Sequence, residues 1–437
     1  MFKFKNFKLS KYSLNLAWKW IVIGLIILPL IPSLGELSLG LALISIWLRE
    51  YKHLIHHPLT WSLGLFSLWL IITSYFAYQP REAFLGLANV LPFFALFMAF
   101  RLVIRQVKQL FIIAWLIILL SIPIVIIGLG QLFLGWSIPE LLSAIIGWRL
   151  VAQGIPEGRM SSVFIYANIL AIYLLIVFIL SLGLWFNSYQ ICQKKGNREI
   201  ILKLIFLSIV VILNAIGLVL TSSRNAWAIA LFACVIFAIY LSWYWLIGLV
   251  TLVVSSVFWA SFGPIPGQEL MRKIIPAYFW ERLSDKMYQD RPLATLRTTQ
   301  WHFCWEMTGD RPWLGWGLRN FSPLYKAETG IYLGHPHNLF LMFSAETGIG
   351  GVLCLSAIVG WVFFQALKAI NQLSKNNRQE AQLILFTYVV AFGSCVLFNL
   401  FDVTIFDLRV NTMGWLLLAC ISGVSASVID NAAVNSE

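Results

Sequence analysis

Long apolar runs separated by short polar punctuation make up most of the chain. They cover approximately 17–33, 36–48, 59–77, 84–103, 110–134, 163–184, 201–221, 224–243, 245–263, 338–366, 382–402 and 408–428. All but the second are long enough to cross a bilayer as a helix, which takes roughly 17–25 residues. The pattern predicts an all-α membrane protein with about twelve transmembrane helices. The second run is short. So little separates the eighth from the ninth that one broken helix is an alternative there. No internal repeat or low-complexity segment interrupts the series.

Between the ninth and tenth runs the pattern changes. Residues 264–336 carry nine Lys/Arg and seven Asp/Glu and open on the turn cluster Gly263-Pro264-Ile265-Pro266-Gly267. A helix is expected from Ala294 to Met307, with Arg297, Trp301 and Trp305 at i, i+4 and i+8 on one face, ended by Asp310-Arg311-Pro312. A polar segment of this length between spans is usually functional. The organisation is therefore nine helices in 1–263, a long loop in 264–336, and three helices with a tail in 337–437.

Composition agrees. The chain has 437 residues, 60% hydrophobic and 11% charged, and its mean hydropathy is +0.82. Soluble domains carry about 25% charged residues. A net charge of +12 raises nucleic acid as a partner. The distribution of the charge excludes it, because the basic residues sit in short inter-helix loops. With the N-terminus placed in the cytoplasm, Lys3, Lys5, Lys8, Lys11, Arg49, Lys52, Arg101, Arg105, Lys108, Lys194, Lys195, Arg198, Lys203, Lys368, Lys375 and Arg378 lie inside, 16 in all. Only Arg81, Arg149, Arg159, Arg224 and Arg409, five residues, lie in short outer segments. The positive-inside rule then puts both termini in the cytoplasm and 264–336 outside. The lysine-rich start resembles a signal peptide, but no A-x-A site follows, so an uncleaved first helix is expected. The six cysteines form no C-x-x-C pair and indicate neither a disulfide framework nor a zinc site.

Four polar features on the outer side are candidates for chemistry. Thr221-Ser222-Ser223-Arg224-Asn225 is a turn between spans. Its arginine either snorkels to lipid head groups or grips a phosphate with its planar fork. Arg297 with Trp301 belongs either to an interfacial amphipathic helix or to a site. His335-Pro336-His337-Asn338 opens the tenth span and is either structural or catalytic. Neither carboxylate nor cysteine stands at ligand spacing beside these histidines, so no metal is expected. Asp402, Asp407, Arg409 and Glu346 are costly in or near spans. Pairing of Asp402 with Arg409 as a structural clamp is the plainer reading. Glu346 lies nine residues beyond His337, about 180° round a helix, so the two should not share a cavity.

Several stretches resemble the O-antigen ligase and polysaccharide-polymerase superfamily over roughly residues 80–425. His337-Asn338, nine residues, then Gly348-Ile349-Gly350-Gly351 matches its H-[NSQ]-x9-G-x-x-G pattern. Arg224 after a serine in an outer turn, and Arg297 to Trp301 followed by Pro312-Trp313-Leu314-Gly315-Trp316-Gly317, are similar to other family features. Arg159 to Asn168 resembles an R…S…F…N segment, with Tyr166-Ala167-Asn168 where N-P-N is usual. Some relatives are described as inorganic-carbon transporters and share the Ser-Arg turn and the D-R-P-W-L-G stretch. The His-Asn motif favours the ligases.

The resemblance implies a GT-C-like architecture and an inverting, metal- and cofactor-independent transfer of a glycan from a polyprenyl (undecaprenyl) diphosphate to a glycan, lipid or protein acceptor. The enzyme would act outside the inner membrane, as in lipopolysaccharide biosynthesis. A small-anion or bicarbonate transporter is the alternative from another class, and a polysaccharide polymerase the alternative within this one. Arg224 and Arg297 would bind the diphosphate and His337 would act as general base. Asn338, Trp301, Arg159, Asn168, His335 and Asp402 would support them. His337 should line one cavity with the two arginines and His335 should aim elsewhere. The glycines after His337 should mark close packing of the tenth helix on a neighbour.

Overall fold

Leu28-Pro29-Leu30-Ile31-Pro32 breaks the first apolar run, because proline cannot continue a helix but starts one well. α1 (Lys11–Ile27) therefore turns into α2 (Pro32–Ile55), which has Pro32 in its first turn. The two pack closely: Gly24 lies against Leu39, Gly35 against Leu28, and Ser38 Oγ donates to the Trp20 carbonyl at 2.8 Å. The computed structural model describes residues 11–284 and 292–434. Lys3, Lys5 and Lys8, used above to orient the N-terminus, lie outside the described residues, as do Asp285, Lys286, Asp290 and Arg291 of the long loop.

The first half continues with α3 (Pro58–Tyr75), α4 (Pro80–Leu87), α5 (Leu91–Val103), α6 (Val107–Phe133), α7 (Glu140–Ile146), α8 (Ala167–Lys195), α9 (Arg198–Leu220), α10 (Arg224–Tyr240) and α11 (Tyr244–Phe262). The long loop holds α12 (Gly267–Ile274), α13 (Ala277–Leu283), a 3-10 turn at Leu293–Thr295, α14 (Arg297–Asp310) and α15 (Phe321–Thr329). The chain closes with α16 (Leu339–Lys375), α17 (Gln379–Phe398) and α18 (Leu408–Val434).

Each expected span is mostly helical, and the fold is that of a multi-pass all-α membrane protein. Among the described residues, nine stretches are long and apolar enough to cross a membrane, while Leu14–Ile27 and Arg224–Tyr240 are shorter apolar helices. The short second run extends into α2, 24 residues long, because its flanks Ser33-Leu34-Gly35-Glu36 and Tyr51-Lys52 join the helix, with a kink at Glu50 (φ −116°, ψ 18°). The fourth is broken between α4 and α5. The eighth and ninth are separate helices, α10 and α11, parted by a turn in which Ser242 has φ +58°.

α8 is the hub. In its most apolar window 83% of residues are buried, against 11% in α11, so α8 sits inside the bundle and α11 on its rim. An apolar helix with no polar face is stable only when surrounded by protein or lipid. α16 kinks at Gly348 (φ +75°, ψ 170°), where the backbone of Pro312–Trp313 runs against it and the Ile349 N–H donates to the Pro312 carbonyl at 2.8 Å. The motif glycines meet the expectation in part: Gly350 lies close against Trp69 of the neighbouring α3, whereas Gly348 admits a loop backbone. The helix expected at 294–307 begins at Arg297, because the 3-10 turn takes the residues before it, and runs to Asp310.

Candidate functional site

The short loop between α17 and α18 supplies a carboxylate. Asn399 holds this loop in shape: its Oδ1 accepts from the N–H and the hydroxyl of Thr404, both at 3.1 Å. The Asn399 carbonyl accepts the Leu339 N–H at 2.8 Å, tying the loop to the first turn of α16. Asp402 is buried in this loop and caps its own turn, accepting the Val403 N–H at 2.9 Å.

The start of α16 supplies the imidazoles. Asn338 is its N-cap, accepting the Leu341 N–H at 3.0 Å, which satisfies one of the donors a helix start leaves open. His337, just before it, has φ +53°, a left-handed conformation that histidine tolerates better than most residues. Trp301 of α14 fixes the approach by donating to the Pro336 carbonyl at 3.0 Å. This bend places His337 Nδ1 at 3.2 Å from Asp402 Oδ1 and His335 Nε2 at 3.9 Å from the same oxygen. The two rings stand nearly perpendicular, 4.5 Å apart. The His337 N–H donates to His335 Nδ1 at 3.2 Å, so the neutral His335 ring carries its proton on Nε2.

The other carboxylate oxygen continues the network. Asn168 in the first turn of α8 donates to Asp402 Oδ2 at 2.6 Å. Its own Oδ1 accepts from Arg159 Nη2 at 2.5 Å, and Arg159 Nε donates to the Thr221 carbonyl at 2.8 Å. Arg159, Asn168, Asp402 and His337 thus form one continuous chain of polar side chains linking the α9–α10 turn to the mouth of α16. In that turn, Asn225 donates to the Phe401 carbonyl at 3.4 Å, which brings the start of α10 and the backbone of Arg224 to the Asp402 loop. Tyr278 of α13 hydrogen-bonds Ser222 and donates to the Val219 carbonyl at 3.0 Å. Arg297 opens α14, and its charge acts on His335.

Burial, with the charges of His337 and Arg297, outweighs Asp402 and lowers His335 to about 4, so it is neutral at pH 7. For Asp402, burial pushes upward. The His337 hydrogen bond and charge, the charge of His335 and the Val403 N–H prevail and hold it at about 2, a carboxylate.

Sequence-predicted residues Arg159, Asn168, Asp402, His335, His337, Asn338 and Trp301 therefore meet at one place. Three expectations need correction. His335 does not aim elsewhere: the His-Pro-His bend puts both rings on Asp402. The Asp402–Arg409 clamp does not form, because Arg409 pairs with Asp407 at 3.5 Å and donates to the Val163 carbonyl at 3.1 Å. The ground for setting a metal aside also falls, since the fold supplies the carboxylate that neighbouring sequence lacks. Ligand atoms of His335, His337 and Asp402 all lie within 4.8 Å of one another and could hold a cation, although the Arg297 charge beside them opposes one. Glu346 is buried and serves the 315–321 segment, accepting the Phe321 N–H at 3.1 Å while its carbonyl accepts the Gly317 N–H at 2.8 Å. Trp305, one turn beyond Trp301 on the same side of α14, is 69% exposed and takes no part in the site. Asn225 and Tyr278 escaped the sequence reading. Asn225 stands in the singled-out turn, whereas no signal marked Tyr278.

Residues 209–356 match the family model described as O-antigen ligase. The match, about a third of the chain, takes in Arg224, Arg297, His335 and His337 and supports an O-antigen ligase/polymerase-type membrane glycan transferase. No curated protein matches the chain.

Proposed function

We propose that this O-antigen ligase/polymerase-type chain transfers a glycan from a polyprenyl diphosphate to an acceptor hydroxyl at the extracytoplasmic face of the inner membrane. Both termini and the basic inter-helix loops then lie in the cytoplasm, and residues 264–336 lie outside. The observation that carries the reading is the His337–Asp402 pair at the mouth of α16.

Asp402 accepts the Nδ1 proton of His337, which leaves Nε2 unprotonated and available as a base. Nε2 takes the proton of the acceptor hydroxyl as its oxygen bonds to the anomeric carbon. The bond from that carbon to the diphosphate oxygen breaks, and polyprenyl diphosphate leaves with the electron pair. A base opposite the leaving group gives inversion. A diphosphate leaves without protonation once its charge is met, which is the work of Arg224 and Arg297. No pair of carboxylates of the glycosidase kind is needed. Asn168 and Arg159 hold Asp402 in place. Asn338 and Trp301 hold the turn that carries His337. His335 shields the pair as a neutral neighbour.

The reaction as written uses no metal. Purified protein should keep its transfer rate in excess chelator. A rate lost in chelator and restored by a divalent cation would give the His335–His337–Asp402 cluster a cation-binding role instead. The donor site is tested by titrating a polyprenyl diphosphate against purified wild type, Arg224→Lys and Arg297→Lys. Each lysine variant should bind it at least tenfold more weakly, because a point charge does not replace a bidentate fork. Unchanged binding in both variants, together with Arg224-dependent bicarbonate uptake by cells, would replace this reading with a transporter.

A further inference from the structure

The opposite end of the bundle holds a cavity of about 590 Å³, lined by the α2–α3 loop, the start of α3, the end of α5, the middle of α16 and the end of α18. Its position follows from α5 and α18. One end of their contact is marked by Asn411 bonded to the Asn89 carbonyl, the other by Arg101 Nε bonded to Ser422 Oγ at 2.8 Å. Eleven residues of α18 separate Asn411 from Ser422, roughly 16 Å along a helix. The cavity is thus far from His337 and Asp402.

Its walls divide by chemistry. Arg101, His57 and Ser422 stand at one end, and Ile358, Trp361 and Ala357 line the rest. Trp361 is 50% exposed on the bundle surface, so the apolar part opens sideways. Arg101 spends only Nε on the protein among the described residues, and no described carboxylate pairs with it. Asp430, which also lines the cavity, pairs with Arg105 at 2.6 Å, and its charge acts on Arg101 as well. Arg101 and Arg105 thus share one carboxylate, and the surplus positive charge in this partly enclosed site calls for an anion. His57 Nδ1 accepts the Leu59 N–H at 3.2 Å. Burial, then the charges of Arg101 and Arg105, lower His57 to about 4. The ring is therefore neutral, with its proton on Nε2 as a further donor.

We propose that this cavity binds one anionic phospholipid from the leaflet on that side, its phosphate on Arg101 and His57 and an acyl chain along Ile358 and Trp361. A free phosphate would use the polar end alone, and a zwitterionic lipid would bring an ammonium to a site where Arg101 and Arg105 outweigh the one carboxylate, Asp430, which Arg105 already engages. The joined polar and apolar walls, open to the side, fit a lipid with net negative charge.

The test is native mass spectrometry of the full chain after exchange into detergent with phosphatidylglycerol, phosphatidylcholine or inorganic phosphate. Wild type should retain one phosphatidylglycerol in clear preference to phosphatidylcholine. Arg101→Gln should weaken that retention about fivefold, the share of one basic residue at an anionic surface. Ala357→Trp, which fills the apolar wall and leaves the charge, should weaken it as well. Should Arg101→Gln fail to elute as a folded species, Ala357→Trp and the lipid comparison decide. Equal retention of the two lipids, or wild-type retention in both variants, would overturn the proposal. Retention of phosphate alone, unaffected by Ala357→Trp, would make this a free-anion site and equally overturn it.

Discussion

Among the described residues one nitrogen of His337 is engaged by Asp402 and the other is not, and this asymmetry sets the expected behaviour of the variants. His337→Ala removes the base and should lower the transfer rate by about 10²–10⁴ with donor binding retained. Asp402→Asn keeps the shape of the side chain but loses the carboxylate that fixes the tautomer. It should reduce the maximal rate more than it weakens acceptor binding, and shift the pH profile. His335 titrates differently. Held at about 4 rather than the ordinary 6.5, it binds its proton more weakly in the folded chain than in the unfolded one. Between those values the unfolded chain holds more protons, so stability falls as pH falls through that window. Asp402, lowered from 3.8 to about 2, adds a second loss only below pH 3.8. Thermal unfolding of purified protein should therefore show a lower Tm at pH 4.5 than at pH 7. In His335→Gln the difference should shrink, and an unchanged difference would mean that His335 is not the group responsible.

Elements bring these residues together, and here the sequence was unevenly legible. Apolar runs long enough for a bilayer announce themselves, and all became helices. The His-Asn start of α16 was legible too, because an Asn before an apolar run is a helix cap. Asp402 stands 65 residues from His337 in sequence, and nothing local says that the α17–α18 loop folds onto the mouth of α16. Residues i, i+2 stand about 200° apart on a helix, but His335 and His337 precede α16, and the bend at His337, φ +53°, brings both rings to Asp402. Trp301 and Trp305 share a side of α14 as their spacing implies, and only Trp301 is placed to reach the Pro336 carbonyl. The kink at Gly348 is the element-scale feature most open to test. A methyl there meets the Trp313 carbonyl and a φ of +75°. Gly348→Ala should destabilise by more than about 1 kcal/mol in thermal unfolding. Gly360→Ala, where a Cβ has open space, should have little effect.

At the scale of the whole molecule, the account needs the long loop and the mouths of α8, α10 and α16 on one side of the membrane. A cysteine placed at Thr298 or Glu328, in a background lacking the six native cysteines, should react with an impermeant reagent added to intact cells from outside. A cysteine at Lys195 or Asn376 should react only after the membrane is opened. The reverse pattern would put the His337–Asp402 pair in the cytoplasm and remove the extracytoplasmic reaction. The most direct measurement is a single-turnover assay with purified chain in lipid nanodiscs. The donor is a polyprenyl diphosphate whose glycan carries a defined anomeric configuration, and product is followed with and without acceptor. The account predicts acceptor-dependent release of polyprenyl diphosphate and a product of inverted configuration. It also predicts a rate lowered at least a hundredfold in His337→Ala but retained in His335→Gln. Retention of configuration, or full transfer by His337→Ala, would contradict it.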